Sequence, residues 1–102
     1  MMISAGSEGG GVTLAGKVTK RECRELRALY ARVEGLRELA AALPEAGPEL
    51  KEKLSEQLAD AERGIALWWE RMRGKYGWTV PEGSRLDIDA YDCRVYLVAE
   101  GL

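Results

Sequence analysis

Residues 48–77 read PELKEKLSEQLADAERGIALWWERMRGKYG, and the fold turns on this stretch. Leu54, Leu58, Ala61, Ile65, Trp68 and Met72 recur at steps of four and three, the spacing of one face of an α-helix. Pro48 suits a first helical turn, where its missing N–H would find no partner, and Gly77 suits the stop, where left-handed backbone closes a helix. The pattern predicts a helix from Pro48 to Tyr76, about 43 Å long.

On the N-terminal side, Pro44-Glu45-Ala46-Gly47-Pro48 reads as a short connector that ends on the first residue of the helix. Before it, Leu26, Leu29, Val33, Leu36, Ala40 and Leu43 draw a second apolar seam, on a predicted helix of about 36 Å that begins at Lys20 and stops at Pro44. Thr19 and Glu22 have the spacing of a capping box, in which each side chain satisfies a backbone N–H of the other residue. Two long helices with facing seams and a short connector form an antiparallel hairpin, whose open end carries the aromatic residues.

Beyond Gly77, Val80-Pro81-Glu82-Gly83-Ser84 reads as a turn. Leu86 and Ile88 alternate with Arg85 and Asp87, Asp89 to Asp92 turns the chain, and Cys93 to Val98 returns as a second strand. At the other end, Met1 to Gly11 is glycine-rich and reads as a flexible arm, while Val12, Leu14 and Val18 share a face if Val12 to Val18 forms a short strand. The expected organisation is an α+β fold, mainly α. It comprises a flexible arm with a possible short strand (1–17), a helical hairpin (18–77) and a β-hairpin tail on the open end of the helices (78–102).

Composition narrows the function classes. The chain has 102 residues, a formal net charge of −2, two cysteines and no histidine, so it reads as one small domain. Met1 to Gly11 lacks the charged and apolar regions of a secretory signal, and no apolar run could span a bilayer, so a cytoplasmic location is expected. Cys23 and Cys93 offer neither a CxxC nor an imidazole partner, which leaves no zinc set, and Cys23 fits a small buried apolar residue better than a reactive thiol. Asp87, Asp89 and Asp92 lack the glycine and distal glutamate of a calcium loop and read as turn residues. No nucleophile, base and pocket can be assembled from the spacing, so neither catalysis nor a cofactor is expected.

Charge is uneven along the chain. Residues 20–42 hold six basic and four acidic side chains, whereas residues 77–102 hold five acidic and two basic. Lys20, Arg21, Arg24, Arg27 and Arg32 could meet phosphates, but a glutamate stands near each arginine and the chain lacks the positive excess of a nucleic-acid binder.

Four of the seven aromatic residues fall within residues 68–78. Successive helical side chains are rotated by about 100°, so Leu67, Trp68 and Trp69 cannot all enter one seam. The surplus apolar surface calls for a cover, from the C-terminal strands, from a second copy of the chain, or from both. Leu67, Trp69, Tyr76, Trp78 and Tyr96 are therefore the expected interaction residues. Two further features bear on partners. Gly64 either admits a close neighbour or is merely tolerated, and the strand from Cys93 to Val98 either accepts an extended peptide at its edge or already has Val12 to Val18 there.

Gly16-Lys17-Val18-Thr19, Leu29-Tyr30 in the first helix, Trp68-Trp69-Glu70 in the second, then Lys75-Tyr76-Gly77-Trp78 and an acidic β tail occur in an order that resembles the CXXX repeat peptide modification system proteins. The resemblance runs from Gly16 to Val98. It implies a non-catalytic companion of a radical maturase acting on a cysteine-repeat precursor, and it carries over no catalytic residue. The expected function is a protein or peptide interaction module that also associates with itself. The alternatives are a self-assembling structural component and, with less support, a nucleic-acid binder.

Overall fold

The computed structural model describes residues 10–43, 45 and 47–100. Among them the order of elements is β1 (Gly10–Lys17), α1 (Lys20–Ala42), α2 (Pro48–Tyr76), β2 (Ser84–Asp89) and β3 (Arg94–Glu100). The fold is α+β and mainly α, as the sequence predicts. No helix among the described residues is long and apolar enough to cross a membrane.

The helix ends follow local chemistry. The Thr19 N–H donates to Glu22 Oε1 at 2.9 Å and the Glu22 N–H donates to Thr19 Oγ1 at 3.1 Å, which completes the capping box and starts α1 at Lys20. At the far end of α2, Gly77 takes φ +69° and the Trp78 N–H donates to the Arg73 carbonyl at 3.1 Å. This left-handed C-cap satisfies a carbonyl that the helix leaves unpaired. Within the connector, Pro44 and Ala46 lie outside the described residues.

The strands depart from the expected two-stranded tail. They form one antiparallel sheet in the order β1-β3-β2, with Gly10 to Lys17 paired along β3. Gly10 and Gly11, expected in a flexible arm, are strand residues, while residues 1–9 lie outside the description. A hairpin alone is marginal, and the third strand gives β3 a partner on each side. The β3 edge considered for an added peptide is thus already filled by β1.

The register also overturns the shared face expected for Val12, Leu14 and Val18. Leu14 stands opposite Tyr96, but Gly16 stands opposite Val95, so Ala15 is an extra residue in β1. Such a bulge reverses the alternation of side chains beyond it. Val12 and Leu14 fall on the face of Tyr96 and Val98, whereas Gly16 and Val18 fall on the face of Val95. Val18 and Val95 are buried; Val12 and Leu14 are exposed.

The connection from β2 to β3 is a turn built on Asp89. Its Oδ1 accepts from the backbone N–H groups of Tyr91 and Asp92, and its carbonyl accepts from the Cys93 N–H at 2.7 Å. Cys93 sits at φ +62°, a left-handed conformation that non-glycine residues seldom adopt. Its carbonyl accepts from the Val18 N–H at 3.0 Å, which extends the β1 pairing past Lys17.

The chain gathers into two compact units. One joins the described residues up to Cys23 with those from Met72 onward, and the other is Arg24–Arg71. The first turn of α1 and the last turn of α2 bond to each other and belong to the sheet unit. In the sheet unit the buried apolar side chains are Val18, Cys23, Met72 and Val95; in the helical unit they are Leu26, Val33, Leu54, Ala61 and Trp68.

Candidate interaction surfaces

In the helical unit α1 and α2 run antiparallel, fixed by three cross-helix bonds. Arg71 donates to Glu25 at 2.9 Å, Arg37 donates to Glu62 at 3.0 Å, and the Trp69 indole N–H points at the Tyr30 hydroxyl at 3.4 Å. The ion pairs are solvent-exposed, so each contributes at most about 1 kcal/mol and chiefly sets the register of the two helices. The apolar seams between them supply the main stabilisation.

Beside the seam lies an open groove of about 830 Å³. Ala28, Leu29, Ala31, Gly64, Leu67 and Trp68 form its apolar lining, and Glu25, Arg32 and Arg71 stand around it as exposed charged groups. Small residues make up half of that apolar lining. Ala28, Ala31 and Gly64 are small, and a Cβ added at Gly64 would lie 3.0 Å from Leu29 Cδ2. The glycine therefore admits the end of the Leu29 side chain, not another backbone. Leu67 is 56% exposed at this groove.

Trp69 and Leu67 thus have different surroundings. Trp69 is half-buried, in edge-on contact with Trp68 at 4.9 Å between ring centroids and an interplanar angle of 87°, and it faces the Tyr30 hydroxyl. Leu67 keeps most of its surface in water, the larger remnant of the surplus that the sequence leaves on this helix.

Tyr76 and Trp78 belong to the sheet unit and do packing work there. Their rings stack at 5.0 Å and 18°, and the Trp78 indole lies on Gly16, where a Cβ would be 3.0 Å from Nε1. The Tyr76 hydroxyl donates to Glu22 Oε1 at 2.6 Å, Lys75 Nζ bonds Glu22 Oε2, and the Lys75 ammonium lies 5.2 Å from the Tyr76 ring centroid. Burial pushes the Glu22 carboxyl pKa up, but the bonds it accepts from Lys75, Tyr76 and Thr19 outweigh burial and bring it down to about 2. The bond to Glu22 holds both the Lys75 ammonium and the Tyr76 phenol above their ordinary pKa values. Glu22 is a structural anion, fixed in its charged form by the last turn of α2.

Tyr96 stands at mid-strand in β3, half-buried, opposite Leu14 on one side and Asp87 on the other. With Val12, Leu14 and Val98 it makes an apolar strip on one face of the sheet. Arg85 closes the β2 side of that face by donating to Glu100 at 2.8 Å and to Asp87 at 3.0 Å. The five expected residues therefore fall into separate settings. Leu67 lines the groove, Trp69 sits beside Tyr30, Tyr76 and Trp78 support the Glu22 cluster, and Tyr96 faces the strip.

Cys23 is fully buried and its thiol donates to the Ala90 carbonyl at 3.3 Å, in keeping with the apolar reading. Glu22 pairs with Lys75 and Glu25 with Arg71, both on α2, and Arg24, Arg27 and Arg32 make no ion pair among the described residues. Sequence reasoning missed Ala28, Ala31 and Arg32 as parts of a groove. The steps of three and four from Ala28 to Ala31 and Arg32 were the available signal. Comparison with protein-family models, with curated proteins and with solved structures finds no match.

Proposed function

We propose that this chain is a non-catalytic interaction module that receives an amphipathic helix of a protein partner in the groove of its helical unit. The observation that carries this reading is Leu67, left largely in water above a lining of Ala28, Ala31 and Gly64. Ala28 and Ala31 permit close approach of another helix, a protruding leucine supplies an anchor, and Arg32, which makes no ion pair among the described residues, offers a cation at the rim. Burying the exposed part of Leu67 is worth about 1 kcal/mol, one anchor's share of a moderate affinity.

The order of motifs from Gly16 to Trp78 supports placing that partner in ribosomal peptide modification, as a maturase or its cysteine-repeat precursor. The test is an NMR titration of the labelled chain with maturase and precursor purified from the same gene neighbourhood. Shifts concentrated on Leu29, Gly64 and Leu67, and abolished by Leu67→Asp, are expected. A neighbourhood without such genes, or an unmoved spectrum, removes the accessory role; shifts confined to the sheet remove the groove.

A second reading draws on Arg24, Arg27 and Arg32, which make no ion pair among the described residues: contact with nucleic acid along α1. Filter binding across a salt series separates the two, because phosphate contacts weaken steeply as salt rises. Binding that ignores salt, or no binding, eliminates this second reading.

A further inference from the structure

Each long helix carries a second stripe beside its seam. Glu25, Ala28, Arg32, Gly35 and Leu39 each precede a residue of the α1 pattern by one position, and Gln57, Asp60, Gly64, Leu67 and Arg71 do the same on α2. One position is a turn of about 100°, so both stripes look a quarter-turn away from the seam, toward the groove. Leu39, 44% exposed, carries the apolar character of the α1 stripe beyond the groove itself. A lone hairpin occupies one face of each helix, whereas a four-helix bundle occupies two at about this angle.

We propose that the groove faces of two copies of the chain pack on each other as an antiparallel four-helix bundle, about a two-fold axis running along the groove. The inference rests on the reading of this groove as the interaction surface and names a second copy as its occupant. A two-fold interface must contain its own complement, and this face does. The Arg71–Glu25 bond fixes which residues lie level across the two helices, and it places Leu67 level with Ala28. Rotation about the groove exchanges α1 and α2, so the protruding Leu67 of each copy lies over Ala28 of the other, where the side chain ends at Cβ.

Charge follows the same rotation. The two Glu25–Arg71 pairs meet as a ring of four groups in which the signs alternate. Arg32, which makes no ion pair among the described residues, comes over Gly64 of the other copy, with the exposed Asp60 one turn further along and within reach of its long side chain. An axis across the helices would stack α1 on α1 and α2 on α2, so that Leu67 and Ala28 no longer meet. The area is sufficient. Within Arg24–Arg71 the paired helices present a face about 30 Å long and 20 Å wide, so two copies together withdraw at least about 1,200 Å², the lower end of specific interfaces. Because the stripes mix charged with apolar residues, the dimer forms as concentration rises and opens for a competing helix.

Sedimentation velocity on the full chain, from about 5 µM to about 1 mM, tests the proposal. The weight-average mass should rise from 11.3 kDa toward twice that value, and Leu67→Asp should hold it at 11.3 kDa. Arg32→Glu and Asp60→Arg should each weaken association severalfold, and the two together should restore it, because the exchanged charges again face each other. Both positions are exposed, so these variants keep the fold. In a mixture of labelled and unlabelled chain, isotope-filtered NOEs should join Leu67 of one copy to Ala28 of the other, a measurement that needs no variant. A constant mass, a mass beyond two copies, a dimer that survives Leu67→Asp, a double charge variant no stronger than the single ones, or NOEs joining the two Leu67 side chains each overturns the proposal. The titration with a foreign partner, run at about 5 µM, decides the earlier reading separately, so either can fail alone.

Discussion

The Trp78 indole rests against Gly16, so that a Cβ at position 16 would stand 3.0 Å from Nε1 and 3.1 Å from Cζ2. The ring is also stacked on Tyr76, which limits how far it can yield. Gly16→Ala should lower unfolding stability by about 1 to 3 kcal/mol, the usual range for overpacking. Urea denaturation followed by tryptophan fluorescence reads this. An unchanged midpoint would mean that the indole moves freely.

The Glu22 cluster sets an acid limit on stability. The Glu22 pKa falls from 4.5 to about 2 on folding, so its contribution is complete above pH 4.5 and is lost as pH falls toward 2. Lys75 and Tyr76 are shifted upward, so their contributions are complete below 10.5 and 10.0 respectively and are lost as pH rises through their folded values. Urea midpoints of the unaltered chain and Glu22→Gln should differ at neutral pH and converge near pH 2. A gap that persists in acid would separate the cluster from the titration.

Three helical glycines should respond differently to alanine. Nothing lies within 4 Å of a Cβ at Gly35 or Gly74, whereas at Gly64 it would lie 3.0 Å from Leu29 Cδ2. Gly35→Ala and Gly74→Ala should each stabilise by about 0.5 to 1 kcal/mol, the helix-propensity difference. Gly64→Ala should gain less, because Leu29 must move. Thermal unfolding of the three variants ranks them, and an equal gain at Gly64 would show that Leu29 gives way at no cost.

Leu67→Asp should cost only about 1 to 1.5 kcal/mol, since more than half of the side chain it replaces is in water and aspartate is the poorer helix former. Trp68→Ala, at a buried position of the same helix, should lose about 3 to 5 kcal/mol. Calorimetry that finds the two equally damaging would place Leu67 in a core.

Local signals in the sequence located the helices well. Thr19 with Glu22 marks the start of α1, and Pro48 and Gly77 bracket α2, because caps and breakers act within four residues. What the sequence hides is pairing between distant segments. β1 is a plausible strand by composition, yet its place beside β3 depends on residues at the far end of the chain. The bulge at Ala15 is invisible because it is defined by a partner strand, and without it Val12, Leu14 and Val18 fall on one face. Glu22 shows the same limit: its spacing from Thr19 reveals the cap, while Lys75 and Tyr76, its partners across the fold, leave no local trace. Of the expected interaction residues, Leu67 was legible from helical rotation alone. The groove beneath it was not, since it depends on which small residues of α1 come to lie opposite Gly64.

Both neighbours of the middle strand precede it in the order of translation. Until Arg94 to Glu100 has left the ribosome, Gly10 to Lys17 has no lane to enter and Ser84 to Asp89 no partner to register against. Until that point the nascent polypeptide must therefore carry its helices with the sheet unassembled, and a stall before Arg94 would present proteases and chaperones with two orphan strands waiting for a third.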